Sequence, residues 1–112
     1  MSNLNYSDFM KVDIRVGTIL EAEENNMLRQ PSIILKIDFG EQIGIKKSSA
    51  KLKANYKVND LINKQVAAVI NFPPKQIGTI MSEVLVVGFP DKQKEPILIS
   101  PDFKVKNGGK LF

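Results

Sequence analysis

From Val12 the chain alternates. Val12, Ile14, Val16, Thr18, Leu20 and Ala22 fall on one side, with Asp13, Arg15, Glu21 and Glu23 on the other. A period of two is the mark of a half-buried β-strand, and this one runs for about 12 residues. Gly17 sits in its middle, where a glycine marks a bulge or sharp bend. Long, bent first strands serve both halves of small closed barrels. Ser7 precedes a predicted short helix over residues 8–11 and is suited to cap it, with Asp8 favourable in the first turn.

A polar connection over residues 25–31 leads to a second alternation, Ile33, Leu35, Ile37 and Phe39, ending at Gly40. Ile43 and Ile45 begin a third strand, and residues 48–56 read as a brief helix. Residues 66–70 form a buried strand candidate that must stop before Pro73 and Pro74, since proline supplies no ladder donor. Residues 84–87 and 97–99 give two more short strands. Five or six strands with one or two short helices between them predict an all-β domain, a five-stranded OB-type barrel. Periodicity alone leaves an SH3-like barrel or a small sandwich open.

The 112 residues suit a single domain, 1–112, with no repeat or linker. A chain this size buries roughly two-thirds of its unfolded surface and can hold a core without staples. It must do so here, because there is no cysteine. The absence of cysteine and histidine removes disulfides, thiolate sites, the thiol nucleophile, the commonest general base and the commonest transition-metal ligand. No cofactor, no metal and no catalytic residue is expected. The N-terminal residues are polar, and the longest apolar run is about six residues, against the ~20 that a membrane span needs. The expectation is a soluble, cytoplasmic protein without membrane insertion.

Sixteen basic against twelve acidic residues leave a net charge of +4, a mild bias that suits a polyanion such as RNA or simply a solvated lysine surface. Asp13 and Arg15, two apart on one strand face, suit a surface ion pair of small worth. The close carboxylates, Glu23 with Glu24 and Asp38 with Glu41, lie at strand ends, where acids are ordinarily solvated. Lys46, Lys47, Ser48 and Ser49 leave a strand together and suit phosphate contacts. The stretch Asn71-Phe72-Pro73-Pro74-Lys75-Gln76-Ile77 presents a rigid apolar rim that stacks a base, holds an extended peptide, or plugs the barrel end.

These fragments resemble a known family. Asp13-Ile14-Arg15-Val16-Gly17 is similar to the opening strand of the tRNA-binding domain family, which includes the C-terminal extension of bacterial methionyl-tRNA synthetases. Residues 71–77 followed by Ser82-Glu83 resemble its later signature. Ile37-Asp38-Phe39-Gly40, Ile43-Gly44-Ile45-Lys46, Ser48-Ser49-Ala50, residues 61–66, Asn71-Phe72-Pro73-Pro74 and Ser82-Glu83-Val84-Leu85 resemble the CsaA-type export-related chaperones within that family.

The resemblance implies an OB fold whose terminal extensions form a homodimer, through Leu4, Tyr6, Phe9 and Met10 at one end and Phe103, Leu111 and Phe112 at the other. It implies an ATP-independent chaperone rather than an enzyme. Unfolded or preprotein segments would enter an apolar pocket framed by Ile45, Phe72, Pro73, Pro74, Ile77, Met81 and Leu85. Ser48, Ser49, Asn71 and Ser82 would hydrogen-bond the segment, Glu83 belongs to the same signature, and Lys46 and Lys75 would attract its flanks. The alternative it implies is tRNA binding on the same face, with Phe72 as a stacking platform. Two departures bear on that alternative. Val84-Leu85 replaces the Gly-Met pair of the tRNA-binding relatives, and residues 25–32 replace their His-Pro…Ala-Asp stretch.

Overall fold

The computed structural model describes residues 2–26 and 31–112. Most of the connection expected over 25–31 lies outside these. The strands are β1 (Ile14–Asn25), β2 (Ser32–Asp38), β3 (Ile45–Ala50), β4 (Gln65–Val69), β5 (Lys75–Ile77), β6 (Ile80–Ser82), β7 (Leu85–Val86), β8 (Gly88–Pro90) and β9 (Pro96–Leu98). A curled antiparallel sheet of order β3-β2-β1-β4-β7 forms the expected barrel, with hairpins β5–β6 and β8–β9 added to it.

Helix α1 (Tyr6–Met10) begins earlier than expected. Its cap is Asn5 rather than Ser7, because Asn5 is extended and its Oδ1 accepts the Asp8 amide at 2.9 Å. Ser7 donates its hydroxyl to that same oxygen. The helix expected over 48–56 is also displaced. Ser48, Ser49 and Ala50 pair with Leu35, Ile34 and Ile33, so the long β2 template holds them as strand. The helical turn comes later, as α2 (Val58–Leu61), and seats Leu61 in the core. The segment after Pro74, expected as loop, closes into the β5–β6 hairpin.

Strand β1 serves both halves of the barrel. Residues 14–18 pair with β4 and residues 18–25 with β2. The register slips between Ile19 and Glu21, leaving Leu20 as the extra residue. One inserted residue turns the alternation over. The face expected to be core is therefore inward at Ala22 but outward at Ile14 and Val16, while Gly17 and Ile19 point in.

Gly17 is not the bulge. It lies in regular register opposite Val66, and its lack of a side chain admits the end of β2. A Cβ there would sit 2.6 Å from Ile37 Cγ2, 2.8 Å from Phe39 Cδ1 and 2.9 Å from the Asp38 carbonyl oxygen.

The core is built from Ile19, Ile33, Leu35, Ile37, Phe39, Leu52, Leu61, Val66, Ala68, Val84 and Leu98. The C-terminal segment fills the side of β1 that β2 leaves free. Gly108 N donates to Val16 O (2.8 Å), Val16 N to Gly109 O (3.2 Å) and Leu111 N to Ile14 O (2.8 Å). Side chains fasten it. Gln65 exchanges two hydrogen bonds with the Val105 backbone, and Asn107 Oδ1 accepts from Thr18 Oγ1 and Gln65 Nε2.

Two substitutions of opposite sign test this packing. Gly17→Ala drives a methyl into Ile37 and Phe39 and is expected to cost about 1–3 kcal/mol in urea unfolding. Ser48 is buried at 1% exposure, and its hydroxyl has no hydrogen-bond partner. Ser48→Ala removes that orphan and is expected to add about 1 kcal/mol, or roughly 4 °C in Tm.

Candidate binding site

The expected ligand-binding set divides into residues that close the barrel and residues that face out. Strand β3 is the sheet edge, and the segment after β6 seals it. Ser49 N donates to Ser82 Oγ at 3.1 Å, Lys47 N to Glu83 Oε1 at 3.0 Å, and Glu83 N to Lys47 O at 2.8 Å. Val84 follows directly and is inserted in the core. Asn71 performs a similar task at the other end of β4. Its Oδ1 accepts the Asp13 amide (3.1 Å) and its Nδ2 donates to Lys11 O (2.7 Å), tying the N-terminal segment to the proline-bearing loop.

The large apolar members behave differently. Ile45 is 57% exposed, Phe72 55%, Leu85 50% and Met81 45%. Pro73, Pro74 and Lys75 are exposed as well, while Ile77, Lys46 and Ser49 are half-buried. The two prolines fix φ and hold Phe72 on a stiff loop directly after β4. On β3, Ile45, Lys47 and Ser49 point outward, opposite Asp38, Lys36 and Ile34. Lys46 and Ser48 take the inward side, opposite Ile37 and Leu35.

Leu85 pairs with Val69, which pairs with Ile14, so these three form one outward row across β7, β4 and β1. That row leads away from β3 toward the C-terminal segment. There an apolar groove of about 420 Å³ is lined by Ile14, Val16, Ala67, Ile99, Val105 and Leu111, with Phe112 at its margin. The alternation of β1 misplaces Ile14 and Val16 in the core, because the slip at Leu20 is fixed by pairing with β2 and leaves no signal in the sequence.

The terminal residues expected at a dimer interface lie near this groove only in part. Leu111 and Phe112 line it, and Phe112 is 99% exposed. Phe103, Leu4 and Tyr6 are exposed, and Phe9 and Met10 are half-buried. Lys110 Nζ donates to Met10 O at 3.2 Å and so joins the two terminal segments.

Electrostatically the surface is cationic with few internal pairings. Among the described residues, the ion pairs are Lys11–Asp8, Arg15–Asp13, Lys36–Glu21 and Lys53–Glu24. The Arg15–Asp13 pair, at 2.6 Å, is more than a surface pair. Arg15 also donates to Gly108 O at 2.9 Å and so holds the C-terminal segment. Lys46, Lys47 and Lys75 take part in none of these pairs and are left to attract anions.

Asp91 accepts the amides of Gln93 and Glu95 and the side chain of Asn55. These bonds, the one from Asn55 foremost, hold its carboxyl below the ordinary value of 3.8. The stabilisation of the β8–β9 turn is thus complete above that value and is lost as pH falls through the lowered one. Among the described residues no group of acids is placed to hold a metal ion. Ser48 is buried with its hydroxyl unpartnered, and Ser49 Oγ is paired with Ser32 Oγ at 3.0 Å.

The barrel has clear relatives. The model of the family described as "Putative tRNA binding domain" matches residues 14–110. The crystal structure of the chaperone CsaA from Bacillus anthracis is 41% identical, with a TM-score of 0.92 over 99% of this chain and 100% of that one. That of the CsaA chaperone protein from Picrophilus torridus is 45% identical, with a TM-score of 0.89 over 98% and 100%. A methionine–tRNA ligase from Pyrococcus horikoshii is 32% identical over 99% of this chain, but this chain spans only 15% of that enzyme's length. Among the described residues, no helix is long and apolar enough to cross a membrane.

The seam can be tested directly. Glu83→Ala removes the acceptor of the Lys47 amide and is expected to cost about 1 kcal/mol. Hydrogen exchange should show faster exchange at the Lys47 and Ser49 amides, with the β1–β4 amides unchanged. Equal protection at Lys47 and Ser49 would mean that Glu83 is free for a ligand.

Proposed function

This chain belongs to the tRNA-binding domain family, and from that premise we propose that it is an ATP-independent chaperone that binds exposed apolar stretches of unfolded or export-bound polypeptides. It works in the cytoplasm as a homodimer and catalyses no reaction. The observation that carries this reading is the rigid exposure of Phe72, Met81, Leu85 and Ile45 on a chain similar over its full length to two CsaA chaperones.

The chemistry of the site accords with an undemanding ligand preference. Ser82, Glu83 and Asn71 have their polar atoms engaged within the barrel, and Ser48 is buried. Few side-chain hydrogen bonds remain to read a ligand's backbone. Affinity would come from apolar contact. Covering the exposed half of three such side chains gains about 2–5 kcal/mol gross, from which ordering costs subtract. The result is modest binding that many sequences satisfy. Lys46, Lys47 and Lys75 add attraction for acidic flanks that weakens with salt.

Fluorescence anisotropy with a labelled unfolded segment tests this. Phe72→Ser combined with Met81→Ser is expected to weaken binding about tenfold or more, while wild-type binding persists at moderate salt. Undiminished binding by that variant would sink the proposal.

A second reading, tRNA binding, is favoured by Lys75 beside the exposed Phe72 and by Lys46 on β3, neither of which joins an ion pair among the described residues. Lys46→Glu with Lys75→Glu should then nearly abolish tRNA binding at moderate salt, measured by filter retention. Intact affinity would remove these residues from the account.

The homodimer rests on the apolar groove beside Leu111 and Phe112, whose exposed surface calls for a covering partner. Removal of residues 1–10 is expected to give a monomer by light scattering. A truncated protein that stays dimeric would contradict this interface.

A further inference from the structure

We infer that the chain holds phosphate groups of an RNA backbone at a separate recess, between Lys64 and Lys104, at the end of the β1–β4 ladder away from Phe72. This rests on the tRNA-binding reading and moves its main contact off the Lys46–Lys75 face. The recess, about 400 Å³, has walls of mixed character: Thr18, Asn63, Lys64, Gln65, Ser100 and Lys104 with Pro101. No carboxylate lines it, and neither lysine joins an ion pair among the described residues.

Both lysines stand on backbone that the fold pins. Asn63 N donates to Ile19 O at 2.8 Å and Lys64 N to Leu61 O at 3.1 Å, while Asn63 takes a left-handed φ of 71°. That turn is fixed on both sides of the Lys64 side chain. Lys104 immediately precedes Val105, whose N–H and C=O are both held by Gln65 at 2.9 and 2.7 Å. Gln65 is itself 9% exposed, while Val105 stays 44% exposed, so the clamp is part-buried. Two cations anchored from segments remote in sequence, with Ser100 lining the same recess, suit a phosphate better than a solvated lysine face does. The neighbouring recess along the same segment includes Glu41, and its Arg15 is already engaged by Asp13 and Gly108. It is therefore the poorer anion site.

The placement has a consequence for competition. Thr18 pairs with Gln65 at the recess end of the ladder and Ile14 with Val69 at the other. Four residues of strand separate the two ends by roughly 13 Å, with Phe72 beyond Val69. A polypeptide on Phe72 and a phosphate backbone on Lys64 and Lys104 would bind together.

The test uses the full chain, with an unmodified tRNA transcript and inorganic tripolyphosphate as separate probes. Lys64→Glu with Lys104→Glu should lower tRNA affinity at least tenfold and reduce the slope of log affinity against log salt by about 2. Lys64→Gln with Lys104→Gln should give the same direction to a lesser extent. Peptide affinity should be unchanged in both, and peptide should not displace tRNA. If both pairs of variants leave tRNA affinity and slope intact while Lys46→Glu with Lys75→Glu removes binding, the recess is wrong and the RNA reading stands. If wild type ignores tRNA but tripolyphosphate shifts the Lys64, Ser100 and Lys104 amide resonances, the recess stands as a phosphate site and the RNA reading falls. Response to neither probe overturns both.

Discussion

A single extra residue at Leu20 determines which way the first half of β1 faces. Before it, Gly17 and Ile19 point to the core. After it, Ala22 does, although the simple alternation would have turned Ala22 outward. The barrel can then close around Ile37 and Phe39, with Gly17 admitting both at close range. The same displacement leaves Ile14 and Val16 on the outer side of the sheet, Ile14 in register with Val69 and Leu85 and Val16 with Ala67. The apolar groove, the outward-facing row beside it and the seating of residues 105–111 all follow from that geometry.

Closure then determines which polar residues remain for a ligand. An open β3 edge would expose unpaired amides and carbonyls, and Ser82 and Glu83 meet them. Asn71, Gln65, Asn107 and Arg15 serve the same end elsewhere, each joining segments remote in sequence. The surface is left with stiffly held apolar side chains and unpaired lysines. Such a surface favours contact area and charge over hydrogen-bond readout, which accords with tolerance of many partners.

Most strands and the barrel itself were legible in the sequence, because Ile33, Leu35 and Ile37 alternate without interruption and the two prolines after Phe72 leave little choice. The failures have physical causes. Residues 48–50 lack a strand-like composition and become strand only because β2 offers them a complete ladder. The sidedness of β1 was illegible because a bulge is set by the partner strand's register, which alternation cannot see. The short β5–β6 hairpin hides behind prolines that normally signal loop. Of the candidate site, the exposed apolar residues were foreseeable from their place near a rigid loop. The barrel-closing work of Ser82, Glu83 and Asn71 was not, since a signature fixes residue identity and leaves its task open. Lys64 and Lys104 escaped notice because only the fold brings them to one recess.

The bonds between residues 14–16 and 108–111 have a further consequence, for synthesis. The first half of β1 is made almost a hundred residues before the segment that pairs with one of its edges. Throughout that interval Ile14 and Val16 stand on an open strand in an incomplete barrel. A nascent molecule of this protein thus passes through the kind of half-finished, apolar-edged state that the finished molecule is proposed to recognise.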